Sequence, residues 1–122
     1  MIIWIASYPK SGNTWVRSFL TAYYFCENGI FNINKLNLIE DYPNKQFFKE
    51  KVKQGEIHKH WETSQKEIRD QKKVKFLKTH NSLITAFGND FTKPEYSLGV
   101  IYVIRDPRNV ITSVKNHNDL DS

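Results

Sequence analysis

The feature that most constrains this chain is the junction near its start between an apolar run and a helix. Residues 2–6, IIWIA, have the composition of a buried strand, and a helix is predicted from Thr14 to about Glu27. The turn between them contains Gly12, which lets the backbone approach a ligand without a Cβ in the way. Free N–H groups at a helix start, together with the helix dipole, favour an anion there. The junction therefore predicts a phosphate-binding loop in an α/β fold.

The loop differs from the common nucleotide-triphosphate loop, whose pattern is G-x-x-x-x-G-K-[ST]. When the two are aligned on Gly12, Thr14 occupies the last position as the pattern requires, but Asn13 replaces the lysine. Ser7 replaces the first glycine, and the positive charge comes earlier in the loop, from Lys10. The pattern therefore argues against an ordinary ATP or GTP site.

The rest of the chain continues the α/β order. The predicted elements are strands over residues 2–7, 74–79 and 98–104, helices over residues 14–27, 46–53, 56–72 and 107–117, and a turn at residues 41–44. Asp106 is predicted to cap the last helix and Pro107 to be its first residue. This order predicts a parallel sheet flanked by helices.

The first helix carries a broad apolar stripe at helical spacing. Its members are Trp15, Val16, Phe19, Leu20, Tyr23 and Tyr24. All of them except Trp15 are predicted to pack into the core.

Three polar residues lie where predicted strands end. Lys10 is in the loop after the first strand, His80 follows the second, and Arg105 follows the third. Because the carboxyl ends of parallel strands meet at one edge of a sheet, these side chains are expected to converge. Ser113, about two turns into the last helix, is expected to add a hydroxyl.

Composition narrows the function classes. The net charge of +5 comes from lysines spread among glutamates, which fits a small anionic ligand and not nucleic acid. Cys26 is the only cysteine, so no disulfide framework is expected. His58 and His60 would face different sides of a helix, so no shared metal is expected. The first apolar run is too short for a membrane span and lacks a cationic flank, which predicts a cytoplasmic protein.

The loop residues 8–15, YPKSGNTW, resemble the 5′-phosphosulfate loop of the sulfotransferases, which use 3′-phosphoadenosine-5′-phosphosulfate (PAPS) as sulfuryl donor. Arg105 with Ser113 resembles the 3′-phosphate site of that family, and Lys78-Thr79-His80 is similar to its Lys-Thr-His motif, whose histidine is the general base. The resemblance implies that the catalytic residues are His80 and Lys10. It implies that the donor-binding residues are Lys10, Ser11, Gly12, Asn13, Thr14, Trp15, Arg105 and Ser113.

The resemblance also implies a reaction. His80 would deprotonate a hydroxyl on a small-molecule, lipid or carbohydrate acceptor, and Lys10 would stabilise the transferred group and the leaving phosphate. PAP, the desulfated donor, would be the product, and no metal is required. After His80 the chain continues with Asn81-Ser82 where the cytosolic members have Leu-Pro, so the acceptor is not implied.

Two other functions stay open at this point. One is a nucleotide-dependent phosphotransferase, in which Thr14 and Asp106 would meet Mg²⁺. The other is a non-catalytic remnant that binds a nucleotide or a partner. The resemblance covers residues 1–122 as one partial sulfotransferase domain, a C-terminally incomplete form of a P-loop-like fold. One flank of the sheet is therefore expected to be open to a homo-oligomer or a second chain.

Overall fold

A computed structural model describes residues 1–48 and 52–117 of the protein. Its strands are β1 (Ile2–Ser7), β2 (Glu40–Asp41), β3 (Lys75–Thr79), β4 (Thr85–Ala86), β5 (Asn89–Asp90) and β6 (Ser97–Val103). Its α-helices are α1 (Asn13–Phe25), α2 (Trp61–Asp70) and α3 (Pro107–His117). Short 3₁₀ helices span Glu27–Gly29, Ile33–Leu38, Lys45–Phe47 and Gln54–His60.

Four of these strands form a parallel sheet in the order β2-β3-β1-β6. The central strand β1 is buried along most of its length, as its continuous apolar sequence predicts. Strands β4 and β5 form a separate antiparallel hairpin. The predicted fold class, a parallel sheet flanked by helices, is confirmed.

The core lies on the face of the sheet that α2 covers. Its buried members are Ile2, Trp4, Tyr42, Trp61, Ile68, Leu77 and Phe91. The ring centroids of Trp4 and Phe91 are 5.2 Å apart, and Trp61 packs edge-on against the same Phe91 ring at 5.2 Å. The hydroxyl of Tyr42 reaches Ser64 on α2 at 2.8 Å, and burial raises its pKa. The core is therefore aromatic, and its polar atoms are tied to α2.

Helix α1 buries the face opposite to the one that the sequence predicts. Its buried residues are the polar Asn13, Arg17 and Thr21, whereas Phe19 and Tyr23 are 63% and 71% exposed. The prediction that the apolar stripe packs into the core is wrong for Phe19, Tyr23 and Tyr24, whereas Val16 and Leu20 are half-buried. The polar face is buried instead because it makes specific bonds to the sheet and its connections. Arg17 donates to the carbonyls of Leu36 and Ile39. Burial lowers the pKa of this guanidinium, and nearby Asp41 partly offsets the shift.

The segment between α1 and β3 also differs from the prediction. Residues 41–44 were expected to form only a turn, but Glu40 and Asp41 pair with Leu77 and Lys78 as strand β2. The pairing continues for one more bond, because the Tyr42 N–H donates to the Lys78 carbonyl at 2.7 Å. A two-residue strand is too short to show a period in the sequence.

The helices predicted in this segment are shorter than expected. In place of a helix over residues 46–53, the described residues contain the 3₁₀ turn Lys45–Phe47, and residues 49–51 lie outside the described range. The helix predicted over residues 56–72 begins as the 3₁₀ helix Gln54–His60 and becomes α-helical only from Trp61 to Asp70. No helix in the described ranges is long and apolar enough to cross a bilayer.

Strand β6 is an edge strand of the sheet, with poorly covered side chains on both faces. The exposed apolar side chains on and just after it are Leu98, Val100, Ile101, Tyr102 and Ile104. Helix α3, which follows, buries Val110 and leaves Ile111 69% exposed. The open flank expected from the sequence is therefore at β6.

Candidate functional site

A cleft of about 350 Å³ lies at the carboxyl edge of the sheet. Its lining residues are Pro9, Lys10, Gly12, Asn13, Thr14, Lys78, His80, Arg105 and Ser113. They come from the ends of β1, β3 and β6 and from α1 and α3. The convergence expected of Lys10, His80, Arg105 and Ser113 is therefore present, at the edge where parallel α/β sheets bind ligands.

The loop between β1 and α1 has a backbone conformation suited to an anion. Lys10 and Gly12 have φ angles of 64° and 99°, both in the left-handed region, so the chain doubles back before the helix. The Ser11 N–H donates to the Tyr8 carbonyl at 3.2 Å and closes the turn. In the described part of the chain, the N–H groups of Gly12, Asn13 and Thr14 have no hydrogen-bond acceptor. The cleft therefore receives unpaired donors at the positive end of the α1 dipole.

Lys10, Lys78 and Arg105 bring positive charge to the cleft. The Nη1 of Arg105 donates to the Lys10 carbonyl at 3.1 Å. This bond joins the loop directly to the residues that lead into α3. The ammonium of Lys78 lies 3.1 Å from Oδ1 of Asp41, and its side chain is only 17% exposed. Lys78 therefore enters the cleft already paired, whereas Lys10 and Arg105 have no carboxylate partner among the described residues.

Arg105 and Arg108 are close in sequence but differ in what they contact. The Arg108 guanidinium holds both carboxylate oxygens of Asp106, at distances from 2.7 to 3.2 Å. This pair lowers the pKa of the Asp106 carboxyl and raises that of the Arg108 guanidinium. Asp106 also accepts from the Arg108 backbone N–H at 2.9 Å, which confirms it as the cap of α3. Arg105 is therefore the arginine that remains available in the cleft.

His80 is exposed and fixed at one ring nitrogen. Its Nδ1 lies 2.8 Å from the Ser7 carbonyl oxygen and 3.3 Å from the Ser7 hydroxyl. Because a carbonyl oxygen can only accept a hydrogen bond, the proton of the neutral ring is on Nδ1. The lone pair is then on Nε2, which is the form that a general base requires.

Asn13 occupies the position that a nucleotide-triphosphate loop gives to lysine, and its side chain is buried. Its Nδ2 donates to the Ile5 carbonyl at 3.2 Å and to the Ser7 hydroxyl at 3.0 Å. The side-chain amide is thus engaged with β1, and it is the backbone N–H of Asn13 that is available to a ligand.

The remaining predicted site residues fall into two groups. Thr14 and Ser113 line the cleft. Ser11 is buried and lines a different cavity, of about 260 Å³, between Tyr8 and α3. Trp15 is 79% exposed and stands outside the cleft lining.

Lys78 lines the cleft and Ser7 contacts His80, and a role for neither residue was predicted from the sequence. Lys78 had a signal, since a lysine between Leu77 and Thr79 in a buried strand is unusual without a purpose. Ser7 had none, because a serine at a strand end has many uses. Among the described residues, no group of three or more histidine, cysteine or acidic side chains is arranged to hold a metal ion.

A family model described as "Sulfotransferase domain" matches residues 2–120. Comparisons with curated proteins and with solved structures found no match. The matched range contains the whole cleft, from Lys10 to Ser113. The chain therefore belongs to the sulfotransferase domain family.

Proposed function

We propose that this chain is the donor-binding part of a PAPS-dependent sulfotransferase that acts on an acceptor hydroxyl. The observation that carries the proposal is the cleft at the sheet edge. Unpaired N–H groups, cations and a histidine with a free Nε2 line the same 350 Å³ of space. A sulfuryl transfer needs these three components, namely an anion cradle, a positive charge and a base.

The residues of the cleft fit a donor with two anionic ends. Lys10, Thr14 and the N–H groups of Gly12 and Asn13 are suited to the 5′-phosphosulfate. Across the cleft, Arg105 and Ser113 are suited to a second phosphate, since a guanidinium and a hydroxyl are good phosphate donors. Trp15, exposed beside the loop, is assigned to donor binding by the family resemblance alone.

When bound, PAPS supplies an activated sulfuryl group. His80 accepts the proton of the acceptor hydroxyl at Nε2, while Ser7 holds the Nδ1 side of the ring. Lys10 and the loop N–H groups oppose the negative charge that develops on the departing phosphate oxygen. In balance, the acceptor O–S bond forms, the S–O bond to phosphate breaks, and the proton on His80 passes to solvent.

A second cavity supports an acceptor with an apolar body. It has a volume of about 530 Å³, lies beyond the end of β2, and includes Pro43, Phe48, Val52 and Ile57 in its lining. Asp41 lines this cavity too, and its carboxylate pairs with Lys78 of the cleft. The apolar part of this lining supports an acceptor hydroxyl carried by a partly apolar small molecule or lipid. The cytoplasmic location expected from the sequence stays a prediction.

The phosphotransferase alternative has less support. Asp106, the carboxylate that would hold Mg²⁺, caps α3 and is paired with Arg108. The side chain of Asn13, at the position of the loop lysine, points to β1. A phosphotransferase would have to break both arrangements.

The first test is calorimetric titration of the purified chain with PAP, with ATP–Mg²⁺ as the comparison ligand. We expect PAP to bind more tightly, and Lys10→Ala and Arg105→Ala each to weaken its binding by about ten-fold or more, because each removes a charge-assisted contact. Arg108→Ala is the matched control. Since that arginine is paired at the surface, its loss is expected to change PAP affinity by less than about two-fold.

The result that contradicts the proposal is a folded chain, verified by circular dichroism, that prefers ATP–Mg²⁺ or does not bind PAP. Equal effects of Arg105→Ala and Arg108→Ala would contradict the assignment of Arg105. An activity assay with PAPS and an acceptor then distinguishes a catalyst from a remnant that binds PAP without turnover.

A further inference from the structure

We infer that Asn13 and Ser7 are positioning residues for His80 and together set which of its ring nitrogens is free to act as a base. The inference rests on the proposed function for its chemical purpose. The hydrogen-bond geometry that carries it is independent of any ligand.

The first step is the orientation of the Asn13 amide. Its Nδ2 faces the Ile5 carbonyl at 3.2 Å, and a carbonyl can only accept. With the amide flipped, two acceptor oxygens would face each other in a buried place, since Asn13 is only 5% exposed. The orientation is therefore fixed by β1, although it leaves Oδ1 buried without a partner.

The second step is the Ser7 hydroxyl. The fixed amide also donates from Nδ2 to the Ser7 Oγ, at 3.0 Å. That oxygen thus acts as an acceptor toward the interior, and Ser7 itself is only 4% exposed. The amide of Asn13 consequently holds the last residue of β1 by its side chain.

The third step is the imidazole. The Ser7 carbonyl lies 2.8 Å from Nδ1 of His80 and can only accept, so it requires the proton on Nδ1. The Ser7 hydroxyl, 3.3 Å from the same nitrogen, then faces an N–H and accepts from it. Two acceptors on one side of the ring favour a proton on Nδ1, whereas histidine in water prefers its neutral proton on Nε2. Asn13 and Ser7 therefore reverse the ordinary tautomer and leave the Nε2 lone pair available.

The position of Asn13 shows how this loop differs from the nucleotide-triphosphate loop. In the nucleotide-triphosphate loop the residue after the glycine is a lysine that binds phosphate. Here the same position holds an amide that turns inward and supports the base on the next strand, while Lys10 supplies the charge. The charged groups that line the cleft with His80 are Lys10, Lys78 and Arg105, all cations, and none of them contacts Nδ1.

The test is ¹⁵N nuclear magnetic resonance of the His80 ring nitrogens in the whole chain, at a pH where the imidazole is neutral. We expect the wild type to carry its proton on Nδ1. Ser7→Ala and Asn13→Ala are expected to lower the ratio of the Nδ1–H to the Nε2–H form by about five-fold, the value of one ordinary hydrogen bond. Ser7→Thr, which keeps the hydroxyl, is expected to retain the wild-type ratio, and Asn34→Ala, at the surface, is the control.

Predominance of Nε2–H in the wild type would overturn the inference, and so would unchanged ratios in both alanine variants. If Asn13→Ala does not fold, the comparison of Ser7→Ala with Ser7→Thr decides alone. The same wild-type sample is titrated with PAP. Binding of PAP with the wrong tautomer would overturn this inference only, and the expected tautomer without PAP binding would overturn the proposed function only.

Discussion

At the scale of single residues, contacts decide which of two similar side chains is available to a ligand. From the sequence, either Arg105 or Arg108 could be the arginine of the site, because both lie at the junction between a strand and the helix that follows it. In the structure, the Asp106 carboxylate pairs with Arg108, whereas Arg105 donates to the Lys10 carbonyl at the cleft. The sequence contains both arginines and the aspartate, but it does not show which arginine pairs with the aspartate.

Gln65 is a residue whose importance no sequence pattern indicated. It is fully buried in α2. Its Nε2 donates to the Phe91 carbonyl at 2.6 Å, and its Oε1 accepts from the Thr92 hydroxyl at 2.6 Å. A buried side chain with both ends paired links α2 to the segment before β6.

We predict that Gln65→Leu lowers the free energy of unfolding by about 1–3 kcal/mol, because the volume is nearly kept but a buried carbonyl loses its donor. Lys66→Leu, the exposed neighbour, is expected to change it by less than about 0.5 kcal/mol. Urea denaturation followed by circular dichroism measures both. A Gln65→Leu protein as stable as the wild type would show that this polar link does not stabilise the fold.

At the scale of elements, the three long strands were predicted, whereas the two-residue strands β2, β4 and β5 were not. The apolar runs predicted β1, β3 and β6 within one residue of their observed ends, because a continuous apolar run is the signal of a strand in a parallel sheet. The orientation of α1 could not be predicted, since the polar residues that it buries find partners only in the folded chain. Arg17, for example, bonds to the carbonyl of Leu36, in a 3₁₀ helix that the sequence did not indicate, and to that of Ile39, just after this helix.

Helix α3 offers a prediction that depends on pH. The Asp106 carboxylate accepts from the Arg108 N–H and pairs with its side chain, which holds its pKa below the ordinary value of 3.8. Because the folded pKa is lowered, the stabilisation of α3 is present above pH 3.8 and is lost as the pH falls through the lower, folded value.

The amide resonance of Arg108 measures this titration directly. We expect its midpoint in the wild type to lie below 3.8, and Arg108→Gln to move the midpoint upward, because the side-chain pair is the largest cause of the shift. Arg105→Gln is the control, since Arg105 contacts the Lys10 carbonyl and not Asp106. A midpoint that stays in place in Arg108→Gln would show that the backbone bond alone lowers the pKa.

At the scale of the whole molecule, the open flank at β6 is the main property. Strand β6 is at the edge of the sheet, and its Val100 and Tyr102 side chains are 61% and 65% exposed. It therefore offers both unpaired backbone N–H and C=O groups and apolar surface. The sequence indicated this flank only through the family resemblance, because no single segment shows the order of the strands in the sheet.

We predict that the isolated chain self-associates as its concentration rises, and that Val100→Lys reduces this association by placing a charge on the edge strand. Static light scattering over a concentration series measures the effect. Thr63→Lys, on the exposed face of α2, is the control for the added charge and is expected to behave as the wild type. A wild-type chain that stays monomeric throughout the series would contradict the prediction.

Lys10 has a further consequence that follows from its backbone. A non-glycine residue at a φ of 64° is held in a conformation that glycine would adopt more easily. Folding alone would therefore favour glycine at position 10, whereas an anion in the cleft favours the ammonium. On the proposed function, the two demands oppose each other at this residue, and the loop keeps a lysine there at a cost in folding stability.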